Sequence, residues 1–328
     1  MDWVRRKSYI IVMFIGHQKN WDKLLGLVHQ KKLPPVLIFY GPEGIGKSLV
    51  ARHLAAFLFC CDKNQQNNEK SLGLFGPLSK EQKTFPKSAC GKCGSCLKVF
   101  GRQHADFYWI EPEGNSLKIE AIRKLQSDLA RTPLEGNIKV VVMDQAHTLT
   151  LQAANALLKT LEEAPAHVYF VLISPGLSQL IPTIRSRAQK LYFETLSYDE
   201  CRQVLKTHEE ISSERLDSLI RLSDGSPGLI LKFVSEEILQ GFESINAVLE
   251  TPAVLFSAIT EAVENILSLK GDLDLTLEMV KKHLMEKMKG DKNWEYVEKV
   301  DKVSNAQKDL DRNVNKSLIL ENLLIQLR

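Results

Sequence analysis

Residues Gly41 to Ser48 read Gly-Pro-Glu-Gly-Ile-Gly-Lys-Ser, directly after the apolar run Val36-Leu37-Ile38-Phe39-Tyr40. Glycines at this spacing let successive backbone N–H groups converge on anionic oxygens. A helix that begins where the loop ends adds the positive end of its dipole. In such a loop Lys47 reaches the β- and γ-phosphates and Ser48 offers its hydroxyl to Mg²⁺. Gly41, Gly44, Gly46, Lys47 and Ser48 are therefore candidate ligands for ATP or ADP with Mg²⁺. A second set stands at Val140 to His147, Val-Val-Val-Met-Asp-Gln-Ala-His. Asp144 closes a run of strand type and is placed to hold the hydration shell of Mg²⁺ opposite Ser48. Gln145 follows it, where a hydrolysing site of this type carries a carboxylate. A neutral amide cannot take a proton from the attacking water, and loss of a general base costs roughly 10²–10⁴ in rate. Glutamine orients the water in other NTPases, so Gln145 alone does not decide against turnover.

A third set is sulfur. The chain has six cysteines, and Cys90, Cys93 and Cys96 stand as Cys-Gly-Lys-Cys-Gly-Ser-Cys. Beside a phosphate loop this spacing favours a metal over disulfides. A structural zinc site closes a tetrahedron with four thiolates and leaves no open position. The fourth ligand is Cys60 or Cys61. Cys201 stands apart and reads as a core residue.

These groups need a scaffold. From Phe14 to about Phe193, strand-like and helix-like runs alternate, which indicates a mostly parallel sheet flanked by helices. Val36 to Tyr40, Phe107 to Ile110, Ile138 to Met143 and Val168 to Ile173 read as strands. Leu49 to Phe59 is helical. So is Ile119 to Leu129, with Ile119, Ile122, Leu125 and Leu129 on one face. Thr150 caps a helix to Glu163 whose stripe is Ala154, Leu157, Leu158 and Leu161. Asp62 to Lys87, rich in Asn, Gln, Lys and Ser, reads as an extended insertion. Ser197 to Phe233 forms a small group of helices broken at Gly225-Ser226-Pro227-Gly228. The rest is helical and ends in an amphipathic segment, Ser317 to Leu327. The domain boundaries expected are 1–193, with the cysteine module at about 60–96, then 194–236 and 237–328.

A length of 328 residues exceeds one compact core, and 44% hydrophobic with 25% charged residues is the composition of a soluble globular chain. The net charge of +3 is too mild to argue for nucleic-acid binding. The apolar run Tyr9 to Gly16 behind Arg5-Arg6-Lys7 is too short to span a bilayer and lacks a cleavage site. The domain is expected to begin near Met13 if not at Met1, in the cytoplasm and without a membrane partner.

Ala154-Asn155-Ala156-Leu157-Leu158-Lys159-Thr160-Leu161-Glu162-Glu163 is similar to a stretch typical of bacterial sliding-clamp loader subunits, members of the AAA+ family. So are Ile184-Arg185-Ser186-Arg187, the cysteine module after the first helix, and a closing helix at Asn315 to Leu327. The family's usual Ser-Arg-Cys reads Ser186-Arg187-Ala188 here. The resemblance covers the chain from Met13 onward. It implies an AAA+ α/β domain with a zinc module, a helical lid and an all-α collar. It also implies zinc on Cys60, Cys90, Cys93 and Cys96, the spacing from Lys47 to Cys60 fitting the family position. Arg187 would be an arginine finger donated to a neighbour. The implied partners are gamma/tau motor subunits and a delta subunit in a hetero-pentameric ring, the sliding clamp and primer–template DNA, within the holoenzyme of DNA polymerase III. Motor members carry Asp-Glu where this chain has Asp144-Gln145, and an arginine shortly after the Gly-Ser at Gly225-Ser226. Both departures point to a stator-type member with little ATPase of its own. The alternatives are a motor-type ATPase that tolerates Gln145 and a zinc-bearing nucleic-acid binder outside replication.

Overall fold

The computed structural model describes residues 14–61, 88–163, 165–206, 213–251, 256–269, 271–291, 294–310 and 315–327. The start at Met1 or Met13, the leader-like segment before Phe14 and the insertion Asp62 to Lys87 lie outside the described residues. The chain divides into two compact units, Met1–Thr195 and Leu196–Arg328.

The first unit is built on five strands: β1 Val36–Tyr40, β2 Phe107–Ile110, β3 Lys139–Met143, β4 Val168–Ser174 and β5 Gln189–Tyr192. They form one sheet of order β2-β3-β4-β1-β5, every pair parallel. β1, β3 and β4 lie in its interior and are buried nearly throughout. That is why they read as continuous runs of Val, Ile, Leu and Phe. The flanking helices are α1 Gln18–His29, α2 Lys47–Phe59, α3 Gly94–Phe100, α4 Ile119–Leu129, α5 Leu151–Glu163 and α6 Pro182–Arg187. On one face Ile38, Val141, Phe170 and Leu172 pack with Ile122, Leu125, Leu157 and Ile184.

Three local features differ from the expected pattern. The run Ile138 to Met143 contains Lys139, which is 1% exposed, and its Nζ donates to the carbonyls of Asp128 and Arg131 at 2.6 Å each. The ammonium thus satisfies the C-terminal end of α4. In α5 the buried face is Ala153, Ala154, Leu157 and Thr160, with Leu158 and Leu161 only half-buried. The helix turns this face to α4, where Gln126 donates to Ala156 O (3.2 Å) and Thr160 Oγ1 (2.9 Å). Neither α1 nor β5 was foreseen. Trp21, Leu24 and Leu25 bury one face of α1 at helical spacing, whereas β5 buries Leu191 alone and is an edge strand.

The second unit is helical among its described residues: α7 Tyr198–Leu205, α8 Ser213–Leu222, α9 Pro227–Phe233, α10 Glu236–Glu250, α11 Phe256–Ser268, α12 Leu273–Asp291, α13 Glu295–Leu310 and α14 Lys316–Gln326. A capping box of Ser197 and Glu200 starts α7, while Ser226 caps α9 with Pro227 in its first turn. Ile245, Val263, Leu277, Val303, Leu320 and Leu324 are fully buried in one cluster. The closing helix is not amphipathic. It buries Ile319, Leu320, Leu323 and Leu324, yet leaves Leu318 at 60% and Ile325 at 50% exposure. No helix among the described residues is long and apolar enough to cross a membrane.

Candidate functional site: a phosphate loop, a cysteine cluster and an edge arginine

In a parallel sheet, ligands bind beyond the C-terminal ends of the strands. There β1 delivers Gly41, and the loop to Gly46 turns the chain into α2 at Lys47. Gly41 has φ 144°, and a Cβ on it would stand 2.1 Å from the Phe193 carbonyl oxygen. No side chain fits there. Gly46 caps α2 with φ 99°, in the region open to glycine. His17 Nε2 donates to the Ile45 carbonyl at 2.7 Å, and its ring lies 5.0 Å from that of Phe193. The loop is thus held from both sides.

Lys47 is 6% exposed, and its Nζ donates to the carbonyls of Gly41 (2.6 Å) and Pro42 (2.5 Å). Burial brings its pKa down to about 8, while Glu43 and Asp144 pull it back up. Asp144, at the end of β3, accepts at Oδ1 from the Gln145 N–H at 2.9 Å. Burial raises its pKa, opposed by that N–H. Gln145 itself is exposed and sits at φ 49°, the left-handed region that side chains rarely adopt. Lys47 and Asp144 each shift the other's ionisation, so both stand at the C-terminal end of the sheet within electrostatic reach of one another.

The cysteines converge. The sulfurs of Cys60, Cys90, Cys93 and Cys96 all lie within 4.8 Å of one another. Cys90 and Cys96 Sγ are 4.0 Å apart; thiolates around tetrahedral zinc stand about 3.8 Å apart, from Zn–S bonds of about 2.3 Å. Backbone N–H groups point at the sulfurs: Cys90 N to Cys60 Sγ (3.4 Å), Cys93 N to Cys90 Sγ (3.4 Å) and Cys96 N to Cys93 Sγ (3.5 Å). Burial opposes ionisation of Cys93, but the N–H groups of Cys96 and Cys61 outweigh it and hold the thiol down at about 6. Four sulfurs this close, three of them met by these backbone N–H groups, suit a divalent soft cation. Cys61 is exposed and is not among the four, and Cys201 is buried elsewhere.

Arg187 ends α6. Its Nη1 donates to Thr183 O at 3.1 Å, and Nη2 pairs with Glu162 at the end of α5. Both side chains are about half exposed. Gln189, two residues later, pairs in register with Leu37. Gly41 lies four residues beyond Leu37 along β1, at least roughly 13 Å away in the strand direction. Arg187 therefore stands at the opposite end of the sheet from its own phosphate loop.

Sequence reasoning missed a second layer around Asp144. Arg52, five residues after Lys47 on α2, has a buried Nε with no hydrogen-bond acceptor among the described residues. Its guanidinium stands 4.9 Å from the Trp109 ring centroid, and that of Arg102 stands 4.4 Å away. His147 Nδ1 is buried and also meets no partner among the described residues, and burial lowers its pKa. The one legible signal was the charge pattern at the end of β2, where Trp109-Ile110-Glu111 breaks an apolar run.

A family model described as DNA polymerase III, delta subunit, matches residues 75–197. The DNA polymerase III subunit delta' of Pseudomonas aeruginosa is 32% identical over 216 residues, 64% of this chain and 58% of that protein. Its counterpart in Escherichia coli K12 is 35% identical over 228 residues, 69% of this chain and 62% of that protein. The DNA polymerase III subunit tau of Salmonella typhimurium is 30% identical over 222 residues, 66% of this chain and 30% of that protein. Each alignment thus spans less than two thirds of the relative's own length.

Proposed function

On the footing that this chain is a relative of the delta-prime subunits of DNA polymerase III, with tau subunits also similar to it, we propose that it is the stator of a bacterial clamp loader. In this reading the first unit is an AAA+ domain that packs beside a gamma/tau motor subunit and donates Arg187 to the motor's ATP. The second unit carries lid and collar helices and joins a hetero-pentameric ring with motor and delta subunits. That ring opens the sliding clamp and closes it on primer–template DNA in the cytoplasm.

The observation that carries the reading is the separation of Arg187 from its own phosphate loop. A guanidinium is always charged and bridges phosphoryl oxygens as charge spreads over them in the transition state. From the far end of the sheet Arg187 has no reach to its own phosphate loop, which supports a role for it toward another subunit. To act it exchanges Glu162 for phosphate, a small cost for a half-exposed pair.

The chain's own pocket supports binding more than turnover. Lys47 exchanges the Gly41 and Pro42 carbonyls for the β- and γ-phosphates, and Ser48 and Asp144 would hold Mg²⁺. Gln145 supplies no base. Cys60, Cys90, Cys93 and Cys96 would hold one zinc ion, which closes the module onto the end of α2 and leaves no position for catalysis. Replacing Arg187 by Ala is expected to lower the ATPase of the reconstituted complex well beyond tenfold, while gel filtration still finds the complex whole. Unchanged turnover would remove the finger.

A further inference from the structure

The cysteine module does more than close on α2. Six residues after Cys96 the chain leaves α3 through Arg102, held at φ 56° by its N–H bond to Val99 O (3.0 Å). This turn carries the Arg102 side chain to the C-terminal edge of the sheet. There Nη1 donates to both oxygens of Glu111, at 3.0 and 3.1 Å, and the guanidinium lies against Trp109. The indole Nε1 of Trp109 donates to Glu111 Oε2 at 2.9 Å. Arg52, from the helix that begins at Lys47, lies against the same ring. The arrangement adjoins the nucleotide edge, since the Asp144 N–H bonds to Ile110 O at 2.8 Å, one residue before Glu111.

Charge decides what this does. Glu111 and Asp144 are two carboxylates beside a pocket built for phosphates, and Glu111 opposes ionisation of Asp144. Burial pushes the Glu111 carboxyl up, but Arg102 and Trp109 outweigh it and keep Glu111 ionised. Its negative charge has to be answered by a cation if an anionic ligand is to approach. We propose that Arg102, set in place by the cysteine module, neutralises Glu111 and so couples metal binding at the cysteines to nucleotide affinity at the phosphate loop. Arg102 is a positioning and screening residue, touching neither ligand. The inference rests on the reading of Gly41–Ser48 as a nucleotide site.

The test uses the full chain and magnesium-ADP, with affinity measured by calorimetry. Arg102→Ala should weaken binding roughly fivefold, more at low salt, because one cation is lost and one carboxylate uncovered. Adding Glu111→Gln to that variant should restore affinity to within about twofold of the parent. A merely structural role for Arg102 would not be rescued by removing a charge. Linkage is reciprocal, so stripping zinc from the parent should weaken magnesium-ADP binding by the same factor by which saturating magnesium-ADP tightens zinc binding, measured by chelator competition, and both effects should vanish in Arg102→Ala. Equal nucleotide affinity of parent and Arg102→Ala, absence of rescue by Glu111→Gln, or zinc affinity indifferent to ADP in the parent would each overturn the coupling. A parent that binds no nucleotide would take down the phosphate-loop reading and this inference with it. A parent that binds, with Arg102→Ala unchanged, would take down this inference alone.

Discussion

Lys47 concentrates the chemistry of the pocket in one amine. Its pKa is depressed to about 8 from 10.5 by burial, and two consequences have opposite signs. Between those values the unfolded chain binds the proton that the folded chain has released, so this group's contribution to stability rises with pH across that window. On the proposed nucleotide reading the phosphates need the ammonium, so ADP affinity should hold steady from pH 6 to 7 and fall as pH climbs through about 8. A titration followed calorimetrically should find proton uptake on binding near pH 8, and Lys47→Met should lose both the affinity and the uptake. Gly41 was legible because a Cβ there would strike Phe193 O, and the convergence of the cysteines because three of them stand at turn spacing. Arg52, Arg102 and Glu111 were not legible. Their meaning comes from a shared contact with Trp109, which links positions 52, 102 and 111 only after folding.

Elements with a single strong period were legible, and those defined by their neighbours were not. α4 spans Ile119–Leu129, as its apolar spacing predicts. β5 is an edge strand with one buried side chain, so it has no pattern of its own and exists because β1 offers it a free edge. The closing helix carries apolar residues all round, and the inward face is set by the bundle. Leu320→Ala, at 0% exposure, should cost about 2–5 kcal/mol in urea unfolding of the isolated chain. Leu318→Ser, at 60% exposure, should shift it by no more than about 0.5 kcal/mol. If this outer face meets the collar, the same Leu318→Ser should weaken assembly, read by gel filtration with the motor subunit. The cysteine module has the opposite dependence. It should hold one zinc per chain by chelator release, and Cys96→Ser should lose the metal and lower the melting temperature.

At the scale of the whole molecule, the two units answer different needs. One carries a glycine-rich loop at the carboxyl ends of its strands and Arg187 at the other end; the other is helical among its described residues and leaves Leu318 and Ile325 exposed. On the proposed function, an arginine on the far side of the sheet serves a neighbour in a ring and not this chain's own loop. Where hydrolysis occurs and whose residues it needs separates a stator from a motor. The most direct measurement is DNA- and clamp-stimulated ATP turnover by the chain alone and by the chain reconstituted with motor and delta subunits, using the parent, Lys47→Ala and Arg187→Ala. A stator should show negligible turnover alone, and turnover in the complex that survives Lys47→Ala and drops well over tenfold with Arg187→Ala. Brisk turnover by the isolated chain that disappears with Lys47→Ala would contradict the stator reading.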